Sequence, residues 1–480
     1  MLAGFILFLA LFLLVGFLSG RRSDGTTGDY YLAGRSVSPM LVGLSAVATN
    51  NSGYMFIGIM GFTYVSGLSV IWLGVGLILG DYLTSLFVHR QLREFSQTRD
   101  ALTFSGALAT WQGKEMRWLR LVASLMTLIF LGAYAAAQLS AGGKALEVLL
   151  DWPVEWGAVI AALMVASYCM VGGFRASIWT DAVQSTVMYV AMVLLMVVAL
   201  VSFGGIGTSY QALTEIPDYL NWFAAGDLLV PGAFGALLFV IGWMFAGASV
   251  IGQPHIMIRF MALEDESRMG TARAWYYGFY ASFFAIAIIV GLMTRLHLGD
   301  IGSMDPELVL PVMAVDLLPG FLVGLVLAGI FAATMSTADS LLLSCAATLT
   351  HDLLPSNFER PAFLRGATVA MTAFALAIAL SGSQSVFSLV ILAWSVLGAS
   401  FGPLLILLAL KRPVAELQAI AMIIAGCAAV LIWRHYDLQG AVFEGLPGMV
   451  AAFAVYLASA PLLAKTNTAV AGLSVNKKQR

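Results

Sequence analysis

Apolar runs of about 20 residues recur from one end of this sequence to the other, and each can cross a bilayer core of roughly 30 Å as a helix. Hydrophobic residues make up 60% of the 480 and charged residues only 10%, against roughly 25% in a soluble domain. Because a spanning segment must satisfy its own backbone polar groups, this pattern predicts an all-α polytopic membrane protein. No segment has the composition of a soluble domain, so we expect a single membrane transport domain over 1–480.

The apolar runs divide into thirteen predicted spans, which are numbered here in chain order. Their predicted bounds are 1–19, 38–64, 67–88, 119–150, 155–175, 178–204, 229–258, 271–297, 308–350, 362–381, 384–410, 414–433 and 442–464. The long ninth segment is expected to include a separate interfacial helix before Pro319 and Gly320.

The basic residues predict how the chain is oriented. With the N-terminus outside, all but three of the 24 Lys and Arg residues fall on the inner side, the exceptions being Lys144, Arg295 and Arg434. Basic loops favour the cytoplasmic side. We therefore expect a multi-pass protein of the plasma membrane (the inner membrane in a bacterium), with its N-terminus outside and its C-terminus in the cytoplasm.

Several functional classes leave characteristic residues that this sequence lacks. The net charge of −2 gives no nucleic-acid signature. There is no phosphate-binding loop of an ATPase and no nucleophile elbow of a hydrolase. The three cysteines, Cys169, Cys345 and Cys427, lie in apolar spans and suit packing better than disulfides. We expect neither an enzyme, nor an ATP-driven pump, nor a nucleic-acid partner.

Span 9 carries a dense polar stretch within its apolar sequence. Its side chains are the hydroxyls of Thr334, Ser336, Thr337 and Ser340 and the carboxylate of Asp339. Ser336, Asp339 and Ser340 are spaced to share one helix face. Such oxygen groups suit a hard monovalent cation, and an ionisable residue at this depth is costly. Bonds to their own helix or helix–helix packing would explain the hydroxyls alone, but not Asp339.

Spans 2 and 7 are interrupted at comparable places. Span 2 contains the poor helix formers Asn50–Gly53, and span 7 contains Gly252 and Pro254. The two spans are five apart, and an odd offset reverses direction across the membrane, so they indicate two inverted repeats around a binding site. Ordinary glycine and proline kinks are the alternative.

The predicted organisation follows from these repeats. The domain would comprise an extra N-terminal span and inner loop (1–37), a first inverted repeat (38–204), a second inverted repeat (229–411), and two extra spans with a short inner tail (412–480).

Six stretches carry a resemblance to a known family. They are Asp29–Ser36, Leu44–Gly53, Gly172–Gln184, Gly252–Met261, Ala332–Ser340 and Ala393–Pro403. Together they resemble the sodium:solute symporter family, with the Gly252–Met261 and Ala332–Ser340 stretches most similar to its sodium/proline branch. The residues predict about 13 transmembrane helices, and the resemblance implies that they form a leucine-transporter-type inverted five-plus-five repeat with alternating access.

The resemblance also implies a sodium site between spans 2 and 9. Carried over by motif position, its ligands are the backbone carbonyls of Ala48, Asn51 and Ala333 and the hydroxyls of Ser336 and Thr337.

A possible second ion site is implied at Asp181, Ser336, Asp339 and Ser340. Asp339 stands where two-sodium members have a hydroxyl, which would either strengthen a second sodium site or create a protonatable position. The alternative roles for Asp181 are an ion pair with Arg175 and a helix-start role near the membrane face.

The implied solute site lies beside the first sodium. Its predicted residues are Asn50, Ser52, Gly53, Tyr134, Gln138, Ala246 and Val250, with Trp394 and Ser395 as gate candidates. Ala246 and Val250 stand where the proline branch has aromatic residues, and Asn50 stands where it has an acid. The pocket is therefore expected to differ in shape from that of the proline branch.

The residues and the resemblance together predict a sodium-coupled secondary active symporter that imports a small organic solute by alternating access. An amino acid or related carboxylate is the expected solute, with one sodium ion per cycle or two. Proton coupling or sodium/proton coupling on the same fold, a non-transporting solute sensor and a channel are the alternatives. The expected partners are the small-molecule solute and the lipid bilayer, with no obligate protein partner.

Overall fold

Long apolar segments leave backbone polar groups to bond to one another, and the chain is accordingly folded into helices. The computed structural model describes residues 1–21, 23–150, 152–223, 228, 232–302, 304–381, 386–438 and 442–459. Along the predicted spans these residues form helices at Leu2–Gly20, Pro39–Asn50, Ile59–Ser66, Val70–Thr98, Arg117–Leu150, Val154–Ser202, Ala233–Ala248, Pro254–Met261, Met269–Leu298, Gly320–Ala347, Pro361–Ser381, Val386–Ala409, Glu416–His435 and Gly445–Ser459. Shorter helices between them are Thr27–Leu32, Phe104–Thr110, Ile206–Thr214 and Val309–Leu317. The last of these is the separate helix predicted before Pro319.

Ten helices within the described ranges are long and apolar enough to cross a membrane. Two of them each contain parts of two predicted spans. Val154–Ser202 turns at Gly173, near the predicted end of span 5, and the helical stretch Phe56–Thr98 turns at Gly67, the predicted first residue of span 3. The shorter apolar helices Pro39–Asn50 and Gly445–Ser459 supply the first half of span 2 and span 13. Every predicted span thus has a helix.

Span 9 forms the centre of the fold. Every residue from Val323 to Ala347 is buried, so this helix is enclosed by protein on all sides. It packs against Val154–Ser202, Arg117–Leu150 and Leu2–Gly20. Its polar face therefore lies inside the helical assembly.

The two predicted interruptions are present as breaks in the helices. In span 2 the first helix ends at Asn50, a π-type turn covers Tyr54–Gly58, and the second helix starts at Ile59. In span 7 a 3₁₀ turn at Ser249–Gly252 leads into Gln253, whose backbone is extended, and Pro254 starts the second helix. Proline suits that first helical position because its missing N–H would be unpaired there in any residue.

The turn between spans 5 and 6 depends on Gly173. Its φ of 52° and ψ of −136° lie in a region that L side chains rarely adopt. A Cβ atom at this position would lie 2.7 Å from Cδ2 and 2.8 Å from the carbonyl oxygen of Tyr30. Only glycine meets both conditions without strain.

We expect Gly173→Ala to lower the stability of the protein by about 1–3 kcal/mol, because it adds backbone strain and a clash with Tyr30. The measurement is the melting temperature of the purified protein in detergent. Gly278→Ala is the matched control, since Gly278 lies in the helix Met269–Leu298 with open space around its Cα. That change should leave stability unchanged or raise it by up to about 1 kcal/mol, since alanine is the better helix former. Equal melting temperatures for the two variants would contradict the assigned role of Gly173.

Candidate functional site

A small cavity, with about 40 Å³ accessible to the centre of a water-sized sphere, lies between the breaks of spans 2 and 7. Its lining residues are Asn50, Ser52, Leu77, Tyr134, Trp243, Ala246, Tyr280, Val390, Ile391, Trp394 and Phe443. None of these lining side chains is charged, and five are aromatic. The cavity therefore suits a small solute with apolar surface and few polar groups.

The structure divides the predicted solute residues into two groups. Asn50, Ser52, Tyr134, Ala246 and the gate candidate Trp394 line this cavity. The other predicted residues, Gly53, Gln138, Val250 and Ser395, are buried but are not among its lining residues.

Two of the residues outside the lining support the break in span 2. The backbone N–H of Gly53 donates to Oε1 of Gln138 over 3.1 Å. A side chain of span 4 thus satisfies a backbone donor that the interrupted helix leaves free.

Aromatic residues that the sequence did not identify compensate for the small residues on span 7. Trp243 lies one turn before Ala246, and Phe443 lies at the start of span 13, just before the helix Gly445–Ser459. The Trp394 indole donates to the carbonyl oxygen of Ala246 over 3.1 Å. Gln253 in turn donates from Nε2 to the carbonyl oxygen of Trp394 over 2.9 Å, so span 11 is fixed against the break.

The hydroxyls of span 9 lie against the last helical turn before the break in span 2. Ser336 Oγ donates to the carbonyl oxygen of Ala48 over 3.1 Å, and Thr337 Oγ1 donates to that of Thr49 over 2.9 Å. Both hydroxyls also approach the carbonyl oxygen of Ala333, at 3.2 and 3.1 Å. Four of the five predicted sodium ligands are thus brought together, and they present neutral oxygens of the kind that a sodium ion takes.

Asn51, the fifth predicted ligand, follows this turn directly. Its backbone N–H donates to Val47 over 2.8 Å. Its side-chain amide is buried, and neither Nδ2 nor Oδ1 has a hydrogen-bond partner within the described part of the chain. Unpaired buried polar atoms at this place are consistent with a polar ligand there.

A buried arginine lies at the possible second ion site. The Arg259 guanidinium approaches Asp181 Oδ2 at 3.0 Å and Asp339 Oδ1 at 3.9 Å, and all three side chains are fully buried. The guanidinium also donates to the hydroxyls of Ser45 and Ser177, in each case over 3.0 Å.

The hydroxyl of Ser340 accepts a further hydrogen bond from Arg259 and completes the group. We name these six residues, Ser45, Ser177, Asp181, Arg259, Asp339 and Ser340, the Arg259 network. Asp339 accepts additional bonds from Tyr168 (2.7 Å) and from Ser177 and Ser340 (2.9 Å each). The polar face of span 9 therefore meets a cation that belongs to the protein.

The charge distribution along the sequence predicts Arg259 to be a basic residue of an inner loop, whereas the structure places it in the interior. One signal was available, because Arg259 lies in the middle of an otherwise apolar helix, one turn after His255.

The proposed alternative partner of Asp181 is wrong. Arg175 instead forms a 2.5 Å ion pair with Asp29, and Asp181 pairs with Arg259.

A second buried carboxylate group was also missed. Asp81 of span 3 and Tyr276 of span 8 are fully buried, and the Tyr276 hydroxyl donates to Asp81 Oδ2 over 2.8 Å. Asn50 Nδ2 donates to the same hydroxyl over 2.7 Å. The available signal was an acidic residue in the apolar part of span 3.

The fold is shared with two solved structures of transporters. The structure is similar to a substrate-bound, outward-open Na⁺-coupled sialic acid symporter, with a TM-score of 0.81 and 21% identity over 96% of this chain and 97% of that one. It is also similar to Mhp1, a nucleobase-cation-symport-1 family transporter, in a closed conformation, with a TM-score of 0.60 and 16% identity over 93% and 96% of the chains. These likenesses confirm the predicted leucine-transporter-type fold.

Residues 30–426 match the model of the sodium:solute symporter family, and the chain belongs to that family. It is 31% identical to the high-affinity proline transporter PutP of Bacillus subtilis (strain 168), over 95% of this chain and 98% of the relative. It is 29% identical to the sodium/proline symporter of Escherichia coli (strain K12), over 94% and 90%. The protein is a multi-pass sodium:solute symporter and not an enzyme.

Removing Arg259 should leave two carboxylates buried without their cation. We expect Arg259→Ala to cost about 3–5 kcal/mol of stability. The control is Arg268→Ala, because Arg268 is half exposed and its ion pair with Glu264 joins neighbouring turns at the surface. That change should cost less than about 1 kcal/mol. Melting temperatures in detergent measure both effects, and a small shift for Arg259→Ala would contradict the assigned pairing.

Proposed function

We propose that this protein imports a small amino acid together with one sodium ion by alternating access. The observation that carries the proposal is the adjacency of two sites on span 2. Neutral oxygens of spans 2 and 9 converge at Ala48 and Thr337, and the aromatic, uncharged cavity begins at Asn50. The relatives that transport proline support an amino acid as the solute class.

The sodium site of this proposal consists of the carbonyls of Ala48, Asn51 and Ala333 and the hydroxyls of Ser336 and Thr337. A hydroxyl that now donates to a carbonyl can rotate and turn its lone pairs toward a cation. Both groups would then serve as ligands without a large backbone movement. Sodium bound there would join spans 2 and 9 beside Ser52, and so would shape the solute cavity.

The sodium gradient supplies the driving force. One positive charge crossing 100 mV yields about 2.3 kcal/mol. By the relation between free energy and equilibrium constant, this supports roughly fiftyfold accumulation of a neutral solute. A difference in sodium concentration adds to it.

The Arg259 network supports one sodium per cycle. The predicted second site requires space for an ion between Asp181 and the hydroxyls of Ser336 and Ser340. The Arg259 guanidinium already contacts Asp181, Asp339 and Ser340 there and supplies a positive charge. A second sodium would have to displace it. Proton coupling through Asp339 stays a prediction.

The proposal keeps the predicted topology, with the N-terminus outside and the C-terminus in the cytoplasm. It also keeps 38–204 and 229–411 as the two inverted repeats. The equivalent breaks in spans 2 and 7 support this division. In this orientation the Arg259 network lies on the cytoplasmic side of the sodium ligands, since span 9 runs inward from Ser336 to Ser340.

The experiment that tests the proposed function is a solute screen followed by transport. Purified protein is heated with amino acids, sugars and simple carboxylates, each with sodium or with potassium. We expect an amino acid to raise the melting temperature only in sodium. In proteoliposomes the same solute should show saturable uptake that requires an inward sodium gradient. Uptake independent of sodium, or conductance far above carrier turnover, would exclude the proposal.

We expect Thr337→Ala to raise the sodium concentration for half-maximal thermal stabilisation roughly 10- to 100-fold, because one oxygen ligand to a charged group is lost. The control is Ser344→Ala, two turns further along the same helix. Ser344 is buried and its hydroxyl has no hydrogen-bond partner within the described ranges. Ser344→Ala should leave the sodium dependence of thermal stabilisation unchanged. An unchanged value for Thr337→Ala would remove this residue from the sodium site.

The ratio of sodium to solute flux tests the number of ions. Dual-label uptake by the wild-type protein should give one sodium per solute, because Arg259 fills the second position. A measured ratio of two would show that sodium binds beside or in place of the guanidinium. It would contradict the one-sodium proposal without affecting sodium coupling itself.

A further inference from the structure

Three side chains connect a fully buried carboxylate to the wall of the solute cavity. Asp81 on span 3 accepts from the Tyr276 hydroxyl on span 8 over 2.8 Å, and Tyr276 accepts from Asn50 Nδ2 over 2.7 Å. Asn50 lines the cavity, whereas Asp81 and Tyr276 are not among its lining residues. We name these three residues the Asp81 relay.

The relay fixes which end of the Asn50 amide faces a ligand. A carboxylate oxygen accepts hydrogen bonds, so the Tyr276 hydroxyl must use its one proton toward Asp81. The phenol oxygen can then only accept, and Asn50 must supply an N–H group to it. Asn50 Oδ1, an acceptor, remains for the cavity.

The surroundings of Asn50 favour a positively charged donor. The lining contains no cationic side chain, and Tyr134, Trp243 and Trp394 contribute aromatic rings, whose faces attract cations. Asp81 has no Lys, Arg or His within ion-pair distance in the described part of the chain. The cavity thus combines a hydrogen-bond acceptor, Asn50 Oδ1, with aromatic walls. The nearby buried carboxylate of Asp81 has no cationic partner in the described part of the chain.

We infer that Asn50, positioned by Asp81 and Tyr276, selects a solute that carries an ammonium N–H group and excludes carboxylates that lack one. This inference rests on the proposed function and deepens it, because it names the ammonium group of the amino acid as the group that Asn50 recognises. A site built to bond an N–H group discriminates strongly against an analogue without it, because its acceptor is then buried without a partner.

The test compares L-proline with tetrahydrofuran-2-carboxylate, in which an ether oxygen replaces the ring NH₂⁺. Binding to the wild-type protein in sodium is measured by the concentration for half-maximal thermal stabilisation. We expect proline to bind at least about tenfold more tightly than the ether. If the screen identifies another amino acid, that amino acid and its des-amino analogue form the pair.

The outcomes separate this inference from the proposed function. If no amino acid stabilises the protein in sodium, the proposed function fails and the inference fails with it. If an amino acid binds but the preference over its analogue is below tenfold, only the inference is overturned.

Asp81→Leu tests the polarity of the relay. Leucine cannot accept a hydrogen bond, so the Tyr276 proton turns to Asn50 Oδ1, and Asn50 presents its NH₂ group to the cavity. We expect the preference for the amine to fall to about threefold or less, the scale of a weak neutral hydrogen bond. Stabilisation by sodium alone should persist, because the sodium ligands are untouched. A preserved preference would overturn the inference.

Tyr276→Phe gives a second test if Asp81→Leu does not fold. This variant removes the hydroxyl that joins Asp81 to Asn50 but leaves the carboxylate. The preference for the amino acid over its analogue should therefore fall by roughly 3- to 10-fold. Tyr189→Phe is the matched control, because this tyrosine of span 6 packs on Phe279 and Phe283 of the same span 8 outside the relay. It should keep the wild-type preference, and an equal loss in both tyrosine variants would overturn the inference.

Discussion

The buried contact of Arg259 with Asp181 and Asp339 is the interaction on which the interior of this transporter depends. Taking charges out of water is costly, and the cost is recovered only when each charge is paired and its remaining donors and acceptors are satisfied. The guanidinium meets this condition with two carboxylates, the hydroxyls of Ser45, Ser177 and Ser340, and the carbonyl oxygen of His255. These groups come from spans 2, 6, 7 and 9. The Arg259 side chain therefore links the two proposed repeats. An apolar side chain in its place would leave the Asp181 and Asp339 carboxylates without a partner charge.

The breaks in spans 2 and 7 are tolerated for a related reason. Unwound backbone in an apolar interior requires partners, and side chains of neighbouring spans supply them. Gln138 accepts from the Gly53 N–H at the first break. At the second, Gln253 donates to the carbonyl oxygens of Ser249 and Trp394. The residues that satisfy the breaks therefore also fix the walls of the solute cavity. The position of the cavity follows from the backbone chemistry of the interruptions.

The sequence predicted those features that depend on local residue type. Helical spans follow from apolar length, the breaks from Asn50–Gly53 and from Gly252 and Pro254, and the polar face of span 9 from its hydroxyl spacing. The Arg259 network could not be derived in this way, because Asp181 and Asp339 lie 78 and 80 residues from Arg259 and no local pattern links them. A count of basic residues per loop treats every arginine as a surface charge.

The cavity walls were missed for the same physical reason. Trp243 and Phe443 line it together, although 200 residues separate them, and packing of distant spans alone brings them there. Asp81 was visible as an acid in an apolar helix, but its contact with Tyr276 depends on the relative rotation of spans 3 and 8.

A single turn of span 9 connects the sodium ligands to the Arg259 network. Ser336 Oγ donates to the carbonyl oxygen of Ala48. Ser340 Oγ lies 2.5 Å from the carbonyl oxygen of Ser336 and 2.9 Å from Asp339 Oδ1, and these two acceptors compete for its one proton. Ser340 also shares a hydrogen bond with Thr49 and accepts from Arg259. A cation that drew the Ala48 carbonyl and the Ser336 hydroxyl toward itself would therefore change bonds that hold the guanidinium. Two sites are coupled when they share a structural element and events at each site favour one arrangement of that element. In the proposed mechanism this turn is that element, so sodium occupancy and the hydrogen bonds of the Arg259 network form one equilibrium.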